Sequence, residues 1–262
     1  MTHIASEHPE RMVKSEVHPL YSGDKERYVR DMFAAIAPQY DRLNAILSFT
    51  RHKAWRRCAV RLAGVAPGDQ CLDVCTGTGD FAIDLSSAVG AAGHVVGADF
   101  CEPMVRRGWR KTATTHGGKI TMMVANAEAL PYPAGAFDVV TVGFGVRNVA
   151  HIDRTVAEMA RVVRHGGRVV ILEFNRPRSC WYRPCVDLYL FHVLPRIGGL
   201  FSRPEAYAYL PASMKQFVSR EELTEIMHSA GLRDVQVHDL NFGTVCIHVG
   251  TRAVRVPIER EP

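Results

Sequence analysis

The chain has 262 residues, 32 Lys+Arg against 27 Asp+Glu, and a hydrophobic fraction of 47%. That balance excludes a disordered or collagen-like chain, and a net charge of +5 is too mild for a dedicated nucleic-acid binder. The longest stretch without Lys, Arg, Asp or Glu, Leu85 to Ala98, holds three glycines and a histidine, which excludes a spanning helix of roughly 18 or more apolar residues.

Residues 1–23 read as a polar tail without an apolar leader, so the protein is expected to stay in the cytoplasm. From 24 to 64, apolar residues recur at helical spacing. Tyr28, Met32, Phe33, Ile36 and Ala37 form one stripe. After Pro38, Tyr40, Leu43, Ile46 and Leu47 form a second, and Trp55, Cys58, Ala59 and Leu62 a third. Three helices are predicted there, acting as a lid. From Ala66 onward strands and helices alternate. QCLDVC (70–75), HVVGAD (94–99), ITMMVA (120–125), FDVVTVGF (137–144) and GRVVILEF (167–174) are predicted strands, with helices after the first, second and fourth.

Residues 175–217 break the alternation and are predicted to be a helical insert. Ser219 and Glu222, in capping-box spacing, open the next helix. RDVQVHDL and TVCIHVGT, separated by Asn241–Gly243, are predicted to form an antiparallel hairpin. Residues 253–262 read as a tail, which leaves one domain over 24–252. The expected fold is α/β and Rossmann-like: a doubly wound, mostly parallel seven-stranded sheet ending in a hairpin. RHGGR (164–168) reads as the turn before the fifth strand rather than a phosphate loop. The seven cysteines are scattered without CxxC spacing, so neither a disulfide framework nor a metal site is expected. Cys71 and Cys75 read as small buried apolar residues.

The first strand runs into LDVCTGTGDFA, where Gly77, Gly79 and Ala82 satisfy G-x-G-x-x-[GA] between a strand and a helix. Glycines there permit a tight turn and close approach of a ligand. Asp99, at the end of the second strand, stands where a carboxylate accepts from both ribose hydroxyls. This loop alone admits a nicotinamide dinucleotide or S-adenosylmethionine. Asp73 and Asp80 flank it and suit an ammonium and sulfonium better than a pyrophosphate. ANAEALPYP (125–133) follows the third strand, where an adenine-reading turn belongs. The closing hairpin matches the arrangement of class I methyltransferases. S-adenosylmethionine is the expected cofactor, and a nicotinamide oxidoreductase is the competing reading.

These segments resemble the ubiquinone/menaquinone biosynthesis C-methyltransferases over Arg27 to Thr251. YDRLNAILSFTRHKAWRR (40–57) fits the family pattern Y-D-x-x-N-x-x-x-S-x-x-x-H-x-x-W. GTGD, ANAEALP, FGVRNV (144–149), LEF and FHVLPRIGGL (191–200) also match, in order. The resemblance implies that Thr78 is the loop threonine on the cofactor, Asp99 the ribose acid, and Asn126 with Ala127 the adenine turn. The family often carries Ser where this chain has Gly143, so any cofactor contact there falls to the backbone.

Methylation of a quinol ring carbon needs phenol deprotonation, phenolate stabilisation and alignment. Arg147, beyond the fourth strand, suits a phenolate clamp because its guanidinium stays protonated. The competing reading is a surface cation paired with Asp153 or Glu158. Asn148 either orients an oxygen or caps the next turn. The candidates for the base are His52, Tyr40, Asp41 and His192; His52 has the most suitable ordinary pKa, and it and Trp55 could instead only pack the N-terminal helices. Tyr40, Asp41 and Asn44 could close over the cofactor. Trp181–Phe201 reads as a greasy tunnel for a polyprenyl tail or as a buried helix. The expected enzyme methylates a polyprenyl quinol, demethylmenaquinol or a benzoquinol analogue, at the inner face of the membrane. A soluble phenol is the alternative substrate, and a homodimer is left open.

Overall fold

Near-continuous apolar runs such as Val139–Val142 and Val169–Leu172 suit strands covered on both faces. They form the middle of the sheet in the computed structural model, which describes residues 25–115, 118–177, 181, 183–189 and 204–254. His192, the 1–23 tail and the FHVLPRIGGL signature lie outside the described residues, as does most of the proposed tunnel.

Helices α1 (Lys25–Ile36), α2 (Tyr40–Leu47) and α3 (Arg51–Ala63) precede the sheet. Then come β1 (Gln70–Val74), α4 (Asp80–Ala88), β2 (His94–Asp99), α5 (Glu102–Thr115), β3 (Ile120–Val124) and β4 (Phe137–Gly143). They are followed by α6 (Ile152–Val162), β5 (Val163–Phe174), α7 (Arg183–Leu188), α8 (Pro204–Gln216), α9 (Arg220–Ser229), β6 (Leu232–Leu240) and β7 (Val245–Arg252). The seven strands run in the order β3-β2-β1-β4-β5-β7-β6. The first five are parallel; β7 is antiparallel to both β5 and β6. This is the expected Rossmann-like sheet with its closing hairpin. Ser219 makes the expected capping box with Glu222.

Strand alternation divides the core into two layers. Leu72, Val74, Val140, Val142, Val169 and Ile171 face α6 and α9 through Val156, Met159, Leu223 and Met227. Cys71, Val139, Val170 and Leu172 face α3 and α4 through Ala59, Ala63, Phe81 and Leu85. Among the described residues, no helix is long and apolar enough to cross a membrane.

Two local expectations change. The RHGGR stretch interrupts β5 rather than preceding it: β5 begins at Val163, which pairs with Phe137, and a register shift leaves residues 164–167 without strand-pairing partners on β4 before Arg168 meets Val139. Gly166, at φ +75°, absorbs that irregularity. Cys75 leaves the strand and turns to φ +53°, so it does not share Cys71's buried face and is only half-buried.

Candidate active site

The strand order reverses between β1 and β4, and open α/β sheets bind ligands beside the C-terminal strand ends at that point. Two cavities meet there. The smaller is lined by Gly77, Asp99, Asn126, Ala127 and Asn148, among others. The larger is lined by Asn44, His52, Trp55, Arg147, Phe174 and Tyr189, among others. Tyr40, Cys75, Gly143 and Phe144 belong to both walls.

Gly77 of the loop after β1 lines the smaller cavity, whereas Asp73, Thr76, Thr78 and Asp80 line the larger one. Gly77 (φ +57°) and Gly79 (φ +81°) adopt left-handed backbone that favours glycine. The Gly77 N–H donates to Asp99 Oδ2 and the Cys101 N–H to Oδ1, each at 2.9 Å. One donor on each oxygen leaves lone pairs for two further donors, so the carboxylate fits a ribose diol. Burial pushes the Asp99 carboxyl up to about 6, against those two hydrogen bonds. Asn126 Oδ1 accepts from the Glu128 N–H at 2.9 Å, which shapes the turn beside it.

Asp73 is buried beneath this loop and accepts from the hydroxyls of Thr76 (2.5 Å) and Thr141 (2.8 Å). Burial raises its carboxyl to about 7, with both hydroxyls opposing. Asp80 differs. Burial works against its charge, but Arg56 and Lys111 outweigh that and hold its carboxyl below the ordinary value.

Thr78 and Asp41 stand together, but not as expected. The Thr78 hydroxyl donates to Asp41 Oδ1 at 2.5 Å and accepts from Lys111 Nζ at 3.2 Å. Asp41 lines neither of these two cavities and joins α2 to the loop and α5 instead. Gly143 has a steric reason: a Cβ there would lie 2.7 Å from the Phe81 ring.

In the larger cavity, Arg147 is not the surface cation of the competing reading. It is 9% exposed, and its Nη1 donates to Glu173 Oε1 at 2.6 Å and to the Phe144 carbonyl at 2.7 Å. Glu173 is wholly buried in β5; burial raises its carboxyl, with Arg147 opposing. The guanidinium also lies 5.4 Å from the Phe174 ring centre. Among the described residues its buried Nε has no hydrogen-bond partner, so a donor is left over for a ligand. Asn148 does not cap the next helix, whose N-cap residue is His151. Its Oδ1 accepts from the Tyr209 hydroxyl at 2.9 Å.

His52 is buried on the same cavity wall. Ser48 gives its one proton to the Asn44 carbonyl at 2.6 Å, so it accepts from His52 Nδ1 at 2.5 Å. That leaves the lone pair on Nε2. Burial, and secondly Arg56, lower the His52 pKa, so the ring is neutral at pH 7. Tyr40 lies on both walls, and burial raises its hydroxyl pKa. Among the described residues no His/Cys/Asp/Glu cluster could hold a metal.

Sequence reasoning did not assign Glu173, Lys25 or Tyr209. The signal for Glu173 was an isolated acid in the apolar run VVILEF. Lys25 Nζ donates to the carbonyls of Val149 (2.7 Å) and Arg147 (3.2 Å), which ties α1 to the segment after β4.

The ubiE/COQ5 methyltransferase family matches residues 22–252. A Geobacter sulfurreducens protein named ubiquinone/menaquinone biosynthesis C-methyltransferase UbiE is 44% identical over 88% of this chain and 91% of its own. A Bacillus cereus demethylmenaquinone methyltransferase is 40% identical over 87% of this chain and 97% of its own. The fold is shared with an Aquifex aeolicus SAM-dependent methyltransferase (TM-score 0.59, 19% identity, 80% of this chain and 96% of that one). The [4+2]-cyclase SpnF shares it too (TM-score 0.64, 14% identity, 88% of this chain and 97% of that one), so fold alone does not fix the chemistry. The family match carries the assignment: the chain belongs to the ubiE/COQ5 family of S-adenosylmethionine-dependent methyltransferases.

Proposed function

We propose that this enzyme methylates a ring carbon of a polyprenyl quinol at the membrane surface. Demethylmenaquinol is the first acceptor and 2-methoxy-6-polyprenyl-1,4-benzoquinol the second. The observation that carries the reading is the buried Arg147–Glu173 pair, with its spare Nε donor, in the wall of an aromatic cavity that joins the cofactor cleft. When bound, S-adenosylmethionine supplies an electrophilic sulfonium methyl to an electron-rich ring carbon.

The residues divide the remaining work. Asp99 accepts from the ribose hydroxyls, Gly77 and Gly79 let the loop backbone approach, and the turn at Asn126 and Ala127 holds the adenine. Asp73 and the backbone at Gly143 complete the cofactor side. Thr78 acts through Asp41, fastening the N-terminal lid. His52 Nε2 takes the phenol proton, and Arg147 holds the resulting phenolate, aimed by Glu173. Asn148, held by the Tyr209 hydroxyl, stands on the cofactor side, and Tyr40 separates the two ligands. Because Arg147 stays cationic, it stabilises charge rather than removing a proton.

Incubation with labelled S-adenosylmethionine and reduced demethylmenaquinone tests this, and label in the quinone ring is expected. A folded preparation that binds the cofactor yet never labels the ring overturns the substrate assignment. Labelling of short phenols in lipid-free buffer, with none of prenylated quinols, would favour a soluble substrate.

A further inference from the structure

The larger cavity opens between two turns that each expose a phenylalanine. Phe49, between α2 and α3, is 71% exposed, and Phe242, between β6 and β7, is 68% exposed; both line the cavity. They sit at φ +50° and +57°, a left-handed region that a bulky side chain disfavours. Arg51 Nη1 donates to Asn241 Oδ1 at 3.1 Å, which ties the two turns together. The Phe49 ring packs near Tyr189, whose hydroxyl donates to the Leu47 carbonyl at 2.8 Å. Two large aromatics held outward on strained backbone beside a cavity mouth mark an interaction site.

The charge carried by α2, α3 and the turn between them names the partner. Residues 42–68 contain six Lys or Arg and no Asp or Glu. Arg42, Lys53 and Arg57, on the helices flanking Phe49, are exposed.

We propose that this mouth docks on an anionic phospholipid bilayer. Phe49 and Phe242 insert among the headgroups, and Arg42, Lys53 and Arg57 meet the lipid phosphates, so the cavity opens directly to the bilayer. The proposal rests on the quinol reading above and names the surface through which such a substrate arrives. An apolar pair and a basic flank are the two weak signals that together hold a peripheral protein at a membrane.

Flotation with phosphatidylcholine vesicles, with and without phosphatidylglycerol, tests it. The intact chain should bind the anionic vesicles, and less so at high salt. Asn tolerates left-handed backbone, so Phe49→Asn/Phe242→Asn keeps both turns and should weaken binding about tenfold or more. Arg42→Gln/Lys53→Gln/Arg57→Gln should weaken it about fivefold per charge. That triple variant keeps its turnover on a soluble, short-tailed quinol and loses it on quinol embedded in vesicles. Failure of the intact chain to bind, or equal binding by the phenylalanine variant, overturns the proposal. So does a concentration-dependent dimer that ignores vesicles and is abolished by the phenylalanine variant; the mouth would then be an interface between copies. Vesicle binding that depends on Phe49 and Phe242 without methylation of any quinol supports the docking surface and removes the substrate reading alone.

Discussion

Removing the Arg147 guanidinium leaves the buried Glu173 carboxylate without its cation. Arg147→Ala is expected to lower kcat by about 10²–10³, the usual loss for one charge-stabilising donor, while cofactor affinity by calorimetry stays within a few-fold. Stability should fall by about 3–5 kcal/mol at neutral pH. Glu173, with its pKa raised by burial, can escape part of this by protonation. A carboxyl with a raised folded pKa binds its proton more tightly in the folded state. The Arg147→Ala loss should therefore be smallest in acid and grow as pH rises, which denaturant titrations across pH will show. A second pH test separates two residues. Asp99, raised to about 6, must be ionised to accept from ribose, so cofactor affinity should fall below about pH 6. His52 is lowered, so the acid limb of kcat with saturating cofactor should lie below the ordinary histidine value of 6.5 and vanish in His52→Gln. The positions of Asp99, the last residue of β2, and Arg147, just beyond β4, were legible in sequence from the strand pattern. Glu173 was not, because its pairing with Arg147 spans 26 positions and no local period encodes it. Gly143 looked like a missing contact; it is the space that Phe81 needs.

Lys25 ties α1 to the Val149 carbonyl and Asp41 ties α2 to Thr78 and Lys111, whereas α3 is packed into the core through Ala59 and Ala63. A lid that opens is expected to part at polar contacts like those of α1 and α2. Lys25→Met removes the first link. It should speed amide exchange in α1 and raise the cofactor dissociation rate about five- to tenfold, a loss of about 1–1.5 kcal/mol for one charged hydrogen bond. Stopped-flow displacement checks this, and an unchanged rate would show that α1 does not gate the cleft. Helix positions were legible from their stripes of apolar residues. The start of β5 was not, because RHGGR carries the glycine and charge signals of a turn, and the strand already begins before it at Val163.

At the scale of the molecule, alternating periods revealed a parallel sheet and its closing hairpin, but periodicity does not rank strands. The position of β1 beside β4 follows from the crossovers and decides where the site lies. The sheet itself admits more than one adenosine cofactor. S-adenosylmethionine at a hundred times its Kd should add about 2.7 kcal/mol of stability and a measurable rise in Tm, while NAD should add none. Among the described residues, the exposed lining of the smaller cavity includes Glu26 and Asn126 and that of the larger includes Phe49 and Phe242, so the two proposed ligands are expected to enter by separate openings. Their ligands meet only across Tyr40, Cys75, Gly143 and Phe144. If the proposed ligands divide between the two cavities, spent cofactor can leave while the quinone still occupies its own. Turnover is then expected to be sequential without a compulsory order, which product-inhibition patterns check, and its slowest event can differ between detergent and membrane without any change in the chemistry.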